Sequence, residues 1–190
     1  ENSSAASDVY KRQAITDGKD EILLASSAGK LIRFHEKKVR SMGRVARGVR
    51  GMKIKKGQKI ISLMVADHTK EILCVSENGF GKKSSIDDFR AQNRGGKGVI
   101  AIKTSERNGD MVSATLVNDT SSIMLISDKG TMIRTSCNQI PTLTRNTQGV
   151  KIITPKEGEK IMECVRIDEE DSEDQCCLLY TSDAADEFSC

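Results

Sequence analysis

The sequence predicts an all-β chain made of three tandem sheet modules, each a small blade, and three observations carry that prediction. The chain repeats its own landmarks at intervals of 50 and then 51 residues. Every repeat contains runs of five to nine residues rich in Ile and Val and bounded by Ala-Gly, Asn-Gly or Lys-Gly turns, which favours strands over helices. Hydrophobic residues make up 37% of the 190 residues, but aromatics only 3%, and Trp is absent. A core is therefore within reach, and it must be aliphatic.

The elements follow in order. Residues 1–19 form a flank, 20–69 the first blade repeat, 70–120 the second and 121–167 the third, with an acidic tail and end over 168–190. Ile22, Ile72 and Ile123 each open a strand: Glu21 to Ser26, Glu71 to Ser76 and Ser122 to Ser127. Gly29, Gly79 and Gly130 follow at the turn, where a positive φ or a close backbone approach asks for glycine. A second strand then ends on a base: Arg33, Lys83 or Arg134. After a polar connection come Arg44, Arg94 and Arg145, then Gly48-Val49, Gly98-Val99 and Gly149-Val150. Each unit closes on a β-rich run, Lys59 to Asp67, Asp110 to Asp119 or Lys160 to Asp168. The reading is four strands per unit. One small sheet cannot cover both of its faces, so the units must stack as blades.

Charge is segregated along the chain. Residues 20–167 carry 27 Lys and Arg against 15 Asp and Glu, whereas 168–190 carry nine acids and no base. The window from Lys30 to Lys59 holds twelve bases and one acid, Glu36. Such an excess points to a polyanionic partner, with a plain solubilising surface as the alternative and the acidic tail as a competitor for the same face. A turn or a core does not ask for a base at a fixed register. In a radial array, Arg33, Lys83 and Arg134, with Arg44, Arg94 and Arg145, would form two rows of positive charge along a rim. With so few aromatics, binding would rest on charge and not on bases stacked against rings.

Other function classes find little support. No apolar run approaches the roughly 20 residues of a bilayer helix, and the N-terminus lacks the pattern of a secretory signal, so a cytoplasmic location is the default. The six cysteines form no C-x-x-C pair, which argues against a zinc site or a disulfide framework. Gly43 to Gly48 has P-loop spacing but continues with Val49, and Gly81-Lys82-Lys83-Ser84 lacks the upstream glycine. His35 and His68 have no nucleophile turn to serve. Adjacent Asp87 and Asp88 would point apart in an extended segment. A protein-binding propeller of the kelch kind is the competing class. The missing Trp and missing repeated Gly-Gly count against it, and the missing Trp-Asp counts against WD repeats.

The segment Gln92-Asn93-Arg94-Gly95-Gly96-Lys97-Gly98 resembles the gyrase A box, usually written Q-[R/K]-R-G-G-[R/K]-G, with Asn93 as the departure. Together with Ser41-Met42-Gly43-Arg44, Asn78-Gly79-Phe80-Gly81-Lys82-Lys83, Gly130-Thr131-Met132-Ile133-Arg134 and Arg145-Asn146-Thr147-Gln148-Gly149-Val150, it makes residues from about Ala14 to Asp174 similar to the C-terminal domain of the bacterial DNA gyrase A protein. The resemblance implies a partial β-pinwheel, the last three blades of a six-bladed propeller-like ring that wraps duplex DNA on its perimeter in support of negative supercoiling. The resemblance places the principal box in the first blade of the ring, and makes Gln92 to Gly98 a degenerate second copy in a later blade. The resemblance also implies duplex DNA, the rest of the gyrase A protein and the gyrase B protein as partners, and no membrane. It implies no cofactor and no catalytic residue in this chain, with ATP and Mg bound by other parts of an ATP-hydrolysing type II topoisomerase. The runner-up is the corresponding domain of topoisomerase IV.

The DNA-contacting residues expected on these grounds are Arg33, Lys37, Lys38, Arg40, Arg44, Arg47, Arg50, Lys82, Lys83, Arg94, Gly95, Gly96, Lys97, Arg134 and Arg145. Gly95 and Gly96 would let backbone N–H groups approach a phosphate while Arg94 and Lys97 supply charge. Asp8 to Gln13 and Leu178 to Asp186 break the repeat pattern and resemble translated sequencing-adaptor sequence, so the ends are set aside as non-native. Asp168 to Asp174, with six acids in seven residues, reads as a native disordered tail.

Overall fold

The computed structural model describes residues 13–167. The readings made for the first 12 residues and for 168–190 lie outside the described residues. Within them the regular elements are strands and three single 3₁₀ turns, so the all-β expectation holds. No helix among them is long and apolar enough to cross a membrane.

The strands are β1 (Glu21–Ser26), β2 (Lys30–His35), β3 (Ile60–Val65), β4 (Glu71–Ser76), β5 (Phe80–Ser85), β6 (Val99–Ile100), β7 (Met111–Val117), β8 (Ser122–Ser127), β9 (Met132–Ser136), β10 (Val150–Lys151) and β11 (Ile161–Ile167). They form three antiparallel sheets, in the orders β3-β1-β2-β6, β10-β5-β4-β7 and β11-β8-β9. The central hairpins are built as the repeat pattern requires. Glu21 to Ser26 pairs with His35 to Lys30, and Glu71 to Val75 with Ser85 to Gly81.

The sheets do not coincide with the sequence repeats, and here the reading of one four-stranded blade per repeat is corrected. The short strands that begin at Val99 and Val150 cross to the preceding sheet, whereas Gly48-Val49 forms no strand. Val99 and Ile100 of the second repeat pair with Leu31 and Lys30 of the first, and Val150 and Lys151 of the third pair with Gly81 and Phe80 of the second. Two sheets therefore have four strands. The third has three: β9 stands in the place of β2 and β5, and no strand among the described residues pairs with its outer edge. The physical reason is the edge itself: the outer N–H and C=O groups of β2 and β5 need partners, and the next repeat supplies them.

Strand alternation buries both faces of the middle sheet, so Ile72, Leu73, Cys74 and Val75 read as one continuous apolar run. Ile72 and Cys74 meet Leu23, Ala25 and Leu31 of the first sheet, with Phe89, Ala101, Ile102 and Met111 filling the junction. Leu73 and Val75 meet Ile123, Leu125, Cys137, Ile161 and Cys164 of the third. The opposite face of the first sheet carries Ile22, Leu24, Ile32 and Phe34 under Met52. Each buried aliphatic side chain contributes about 1.5 to 3 kcal/mol, so apolar contact dominates the stability of both junctions. Burial pushes the thiols of Cys74 and Cys164 up to about 12, and both serve as small hydrophobes.

The hairpin glycines separate into two kinds. Gly79 has φ +77°, and its carbonyl accepts the N–H groups of Ile152 and Ile153 at 2.9 and 3.2 Å, so a Cβ there would overlap the Ile153 carbonyl. Gly29 stands in the same relation to Ala101 and Ile102. Gly130 has φ +80° but nothing within 4 Å of its Cβ position, because no donated strand lies against it. A second recurring device closes the next turn: the side chains of Gln58, Asn108 and Glu159 accept the backbone N–H three residues earlier, from Lys55, Ser105 and Lys156. Glu159 also accepts from Ser127 Oγ. Hydrogen bonds from Ser127 and Thr131, then the Lys156 N–H, hold its carboxyl down at about 2.

Two outcomes follow. Gly130→Ala should cost about 1 to 2 kcal/mol, the left-handed backbone penalty alone, whereas Gly79→Ala should cost clearly more because it displaces the donated strand. Urea unfolding of the two variants compares them, and equal costs would contradict the strand-donation account. Glu159 is depressed from 4.5 to about 2, so its contribution is complete above pH 4.5 and is lost as pH falls through about 2. Glu159→Gln should flatten that part of the stability profile, measured by unfolding midpoints across the acid range.

Candidate nucleic-acid interface

The bases that end the second strands lie in the junctions between sheets. Arg33 Nε donates to Glu21 Oε2 at 2.6 Å, and its Nη2 lies 2.5 Å from the same oxygen. Its Nη1 donates to the carbonyls of Ile86 and Phe89 at 3.2 and 3.3 Å and lies 3.8 Å from Asp87. His68 lies 3.4 Å from Nη2. The Arg33 side chain is 13% exposed. In the second junction Lys83 Nζ pairs with Glu71 at 3.0 Å and with Asp119, and its side chain is 5% exposed. Burial works against its charge, but hydrogen bonds to Asp119 and Glu71 outweigh it and hold the ammonium above its ordinary value.

These observations correct the expectation that the recurring bases lack a structural role. A base on the second strand sits diagonally across from the acid that opens the first; Arg33 also reaches the turn at Ile86 to Phe89 of the next repeat, and Lys83 the turn at Asp119 that closes its own. The signal was present in sequence, because Glu21 and Glu71 occupy the same register. In the third repeat Ser122 replaces the acid, and Arg134 Nη2 donates to its hydroxyl at 3.3 Å. Arg134 is exposed.

Lys82 is also spoken for. It is fully buried, and its Nζ donates to the carbonyls of Thr144 and Arg145 at 2.5 and 2.7 Å. Burial holds its ammonium down at about 8. The first repeat has Ile32 at the equivalent position, packed with Phe34 and Met52. One junction is thus bound by a buried cation where the other is bound by apolar contact.

Gln92 to Gly98 interlocks with the basic connection of the first repeat. Arg94 is half-buried, with Nε donating to the Lys38 carbonyl at 2.9 Å and Nη1 to the Arg50 carbonyl at 2.6 Å. Lys38 Nζ returns bonds to the Gln92 carbonyl and Asn93 Oδ1 at 2.9 and 2.8 Å. The Gly95 N–H donates to the Gly51 carbonyl at 2.7 Å, and the Gly96 carbonyl accepts from the Lys53 N–H at 2.8 Å. The Gly95 N–H is therefore engaged within the fold, contrary to the expectation that it is open to a phosphate. Gly95 itself has φ +81°, which the tight return of the chain requires.

What remains at the surface is a dense set of cations. Lys37, Lys38, Arg40, Arg44, Arg47, Arg50 and Lys97 are exposed and belong to the two interlocked segments, and Arg145 is exposed in the equivalent loop of the third repeat. The two rows drawn from the sequence thus divide. Arg44 and Arg145 face solvent, Arg94 braces its loop, and Arg33 and Lys83 close junctions. Among the described residues one acidic group, Asp17, Asp20 and Glu36, gathers its oxygens within 4.8 Å. These carboxylates accept backbone N–H groups from Lys19, Asp17 and Asp20 at 2.7 to 3.1 Å, which accounts for the cluster as a turn.

Comparison with known proteins agrees with this architecture. The family model described as DNA gyrase C-terminal domain, beta-propeller, matches residues 20–67, 70–118 and 121–168. The chain is 46% identical over 173 residues to the DNA gyrase A protein of Pseudomonas aeruginosa, covering 91% of this chain and 19% of that protein. It is 42% identical over 161 residues to the Escherichia coli K12 gyrase A protein, covering 83% and 18%. The chain therefore spans about a fifth of the length of these relatives. Among solved structures, the C-terminal domain of DNA topoisomerase IV superposes with a TM-score of 0.77 at 23% identity, over 83% of this chain and 49% of that one. A DNA gyrase A C-terminal domain superposes with a TM-score of 0.73 at 23% identity, over 80% and 52%. With three interleaved β-sheets and the family model matched over three successive stretches of the chain, the chain belongs to the DNA gyrase A C-terminal domain family.

Proposed function

We propose that this chain binds duplex DNA on its basic face and bends it, as the wrapping part of a gyrase A protein that supports ATP-dependent negative supercoiling. The observation that carries the reading is the joined cationic surface of the Lys37 to Arg50 connection and the Gln92 to Gly98 loop, held rigid by Arg94 and Lys38. Bending 20 to 30 bp through 40 to 90° costs on the order of 1 to 6 kcal/mol, so a wrapping surface must spread many phosphate contacts along the bend. Exposed side chains on consecutive blades supply such a path.

Lys37, Lys38, Arg40, Arg44, Arg47, Arg50, Lys97, Arg134 and Arg145 are the proposed phosphate contacts. Arg33, Lys82, Lys83, Arg94, Gly95 and Gly96 shape the surface from beneath. Phosphate contacts position a duplex without reading its bases, so binding is nearly independent of sequence. Strand passage, ATP and Mg belong to other parts of the gyrase A protein and to gyrase B, in the bacterial cytoplasm. The contribution of this chain is mechanical.

The test is a salt titration with random-sequence duplex. If about six phosphates are contacted, log K against log[salt] should slope near −5, and removing one contact by Arg44→Ala should lower the magnitude by about 0.9. A slope near zero for the parental chain would remove the reading.

A further inference from the structure

Arg33 and Lys83 occupy the same register in successive repeats and make corresponding contacts, although only Arg33 reaches the next repeat with its side chain, at the Ile86 and Phe89 carbonyls, while Lys83 Nζ meets Asp119 in the connection that leads to the third sheet. Each pairs with the acid that opens its own sheet, Glu21 or Glu71. Each also binds the following repeat through its backbone. The Arg33 carbonyl accepts the N–H of Gln92 at 2.7 Å, and Arg33 and Ala91 form a parallel bridge. The Lys83 N–H donates to the Pro141 carbonyl at 3.1 Å, its carbonyl accepts the N–H of Leu143 at 2.8 Å, and Lys83 and Thr142 form the same parallel bridge. Thr142 Oγ1 adds a bond to Glu71 Oε2 at 3.1 Å. These contacts stand where the next basic loop begins, at Gln92 in one junction and just before Arg145 in the other.

Two features argue against phosphate as the partner of these bases. Their side chains are 13% and 5% exposed, and Lys83 already faces two carboxylates. A phosphate would have to displace Glu21 or Glu71, whose side chains are themselves only 21% and 30% exposed, leaving a partly buried carboxylate unpaired. The apolar junctions supply most of the cohesion but little direction, since hydrophobic contact is non-directional. Charge-assisted bonds to defined oxygens supply direction.

We propose that the Glu21–Arg33 and Glu71–Lys83 pairs are inter-blade latches: positioning residues that fix the angle between successive sheets, and hence the path that the exposed cations offer to DNA. This deepens the wrapping reading and rests on it for its consequence, while the latch itself can be tested without DNA. Removing a latch leaves the exposed charges in place but loosens their relative placement. Affinity and curvature then come apart.

The experiment uses the 190-residue chain and three variants: Lys83→Met, Glu71→Gln and Lys83→Arg. Spin labels on noncanonical residues at Asn93 and Asn146 report the separation of the two basic loops in the absence of DNA. The expected result is a narrow distance distribution in the parent and in Lys83→Arg, and a broadened one in Lys83→Met and Glu71→Gln. With nicked circular DNA sealed by ligase, the parental change in linking number per bound chain should be lost in both broadened variants and restored in Lys83→Arg. Their salt slopes should stay at the parental value. Glu71→Gln is the discriminating variant, because it makes the chain more positive and a phosphate role for Lys83 would predict tighter binding with unchanged wrapping. A sharp distance distribution in Lys83→Met, together with a salt slope reduced by about 0.9, would overturn the proposal. A flat salt dependence in the parent would sink the DNA reading instead, and the distance measurement would still decide the latch.

Discussion

A strand edge with unpaired N–H and C=O groups is costly to bury, and in this chain that constraint organises everything else. The outer edge of β2 is completed by Val99 and Ile100, and that of β5 by Val150 and Lys151. Each donation ties a repeat to the sheet before it and carries the repeat's basic loop across the junction. The loop that contains Arg94 therefore lies against Lys38 and Arg50, and no further element is needed to hold it. Gly29 and Gly79 belong to the same arrangement, since the incoming chain passes where their Cβ atoms would stand. A third sheet of three strands is the consequence of the same rule where no following repeat is described.

Charge is divided by burial into two kinds of work. Lys82, Lys83, Arg33 and Arg94 spend their donors on carbonyls and carboxylates inside the molecule. The remaining cations of the Lys37 to Arg50 connection are exposed, at the end of a rigid underlay. A lysine as buried as Lys82 is tolerable because two backbone carbonyls receive its protons, and its lowered ammonium value is the mark of what burial costs. A surface of this kind combines exposed charged tips with a fixed base.

Much of the fold was legible because the repeat is strict. The hairpins, their glycine turns and the closing strands fall where Ile22, Ile72 and Ile123 and the following glycines place them. The Gly-Val pairs were visible as landmarks, but their destination was not, since a two-residue strand carries no periodicity and its partner lies more than 60 residues away. The fate of the bases was hidden for a similar reason. Arg33 and Arg44 look alike as letters, yet one meets Glu21 and the carbonyls of Ile86 and Phe89, and the other meets solvent.

Composition and period determined that this chain is an aliphatic all-β array with an excess of positive charge, because strand propensity, turn glycines and net charge are local quantities that add along a sequence. The family followed from motifs held in register. Tertiary structure alone decided which sheet receives each short strand, which cations are sealed into junctions and which remain at the surface. Those outcomes depend on pairing and burial between residues far apart in the chain, and no local pattern encodes the distance between them.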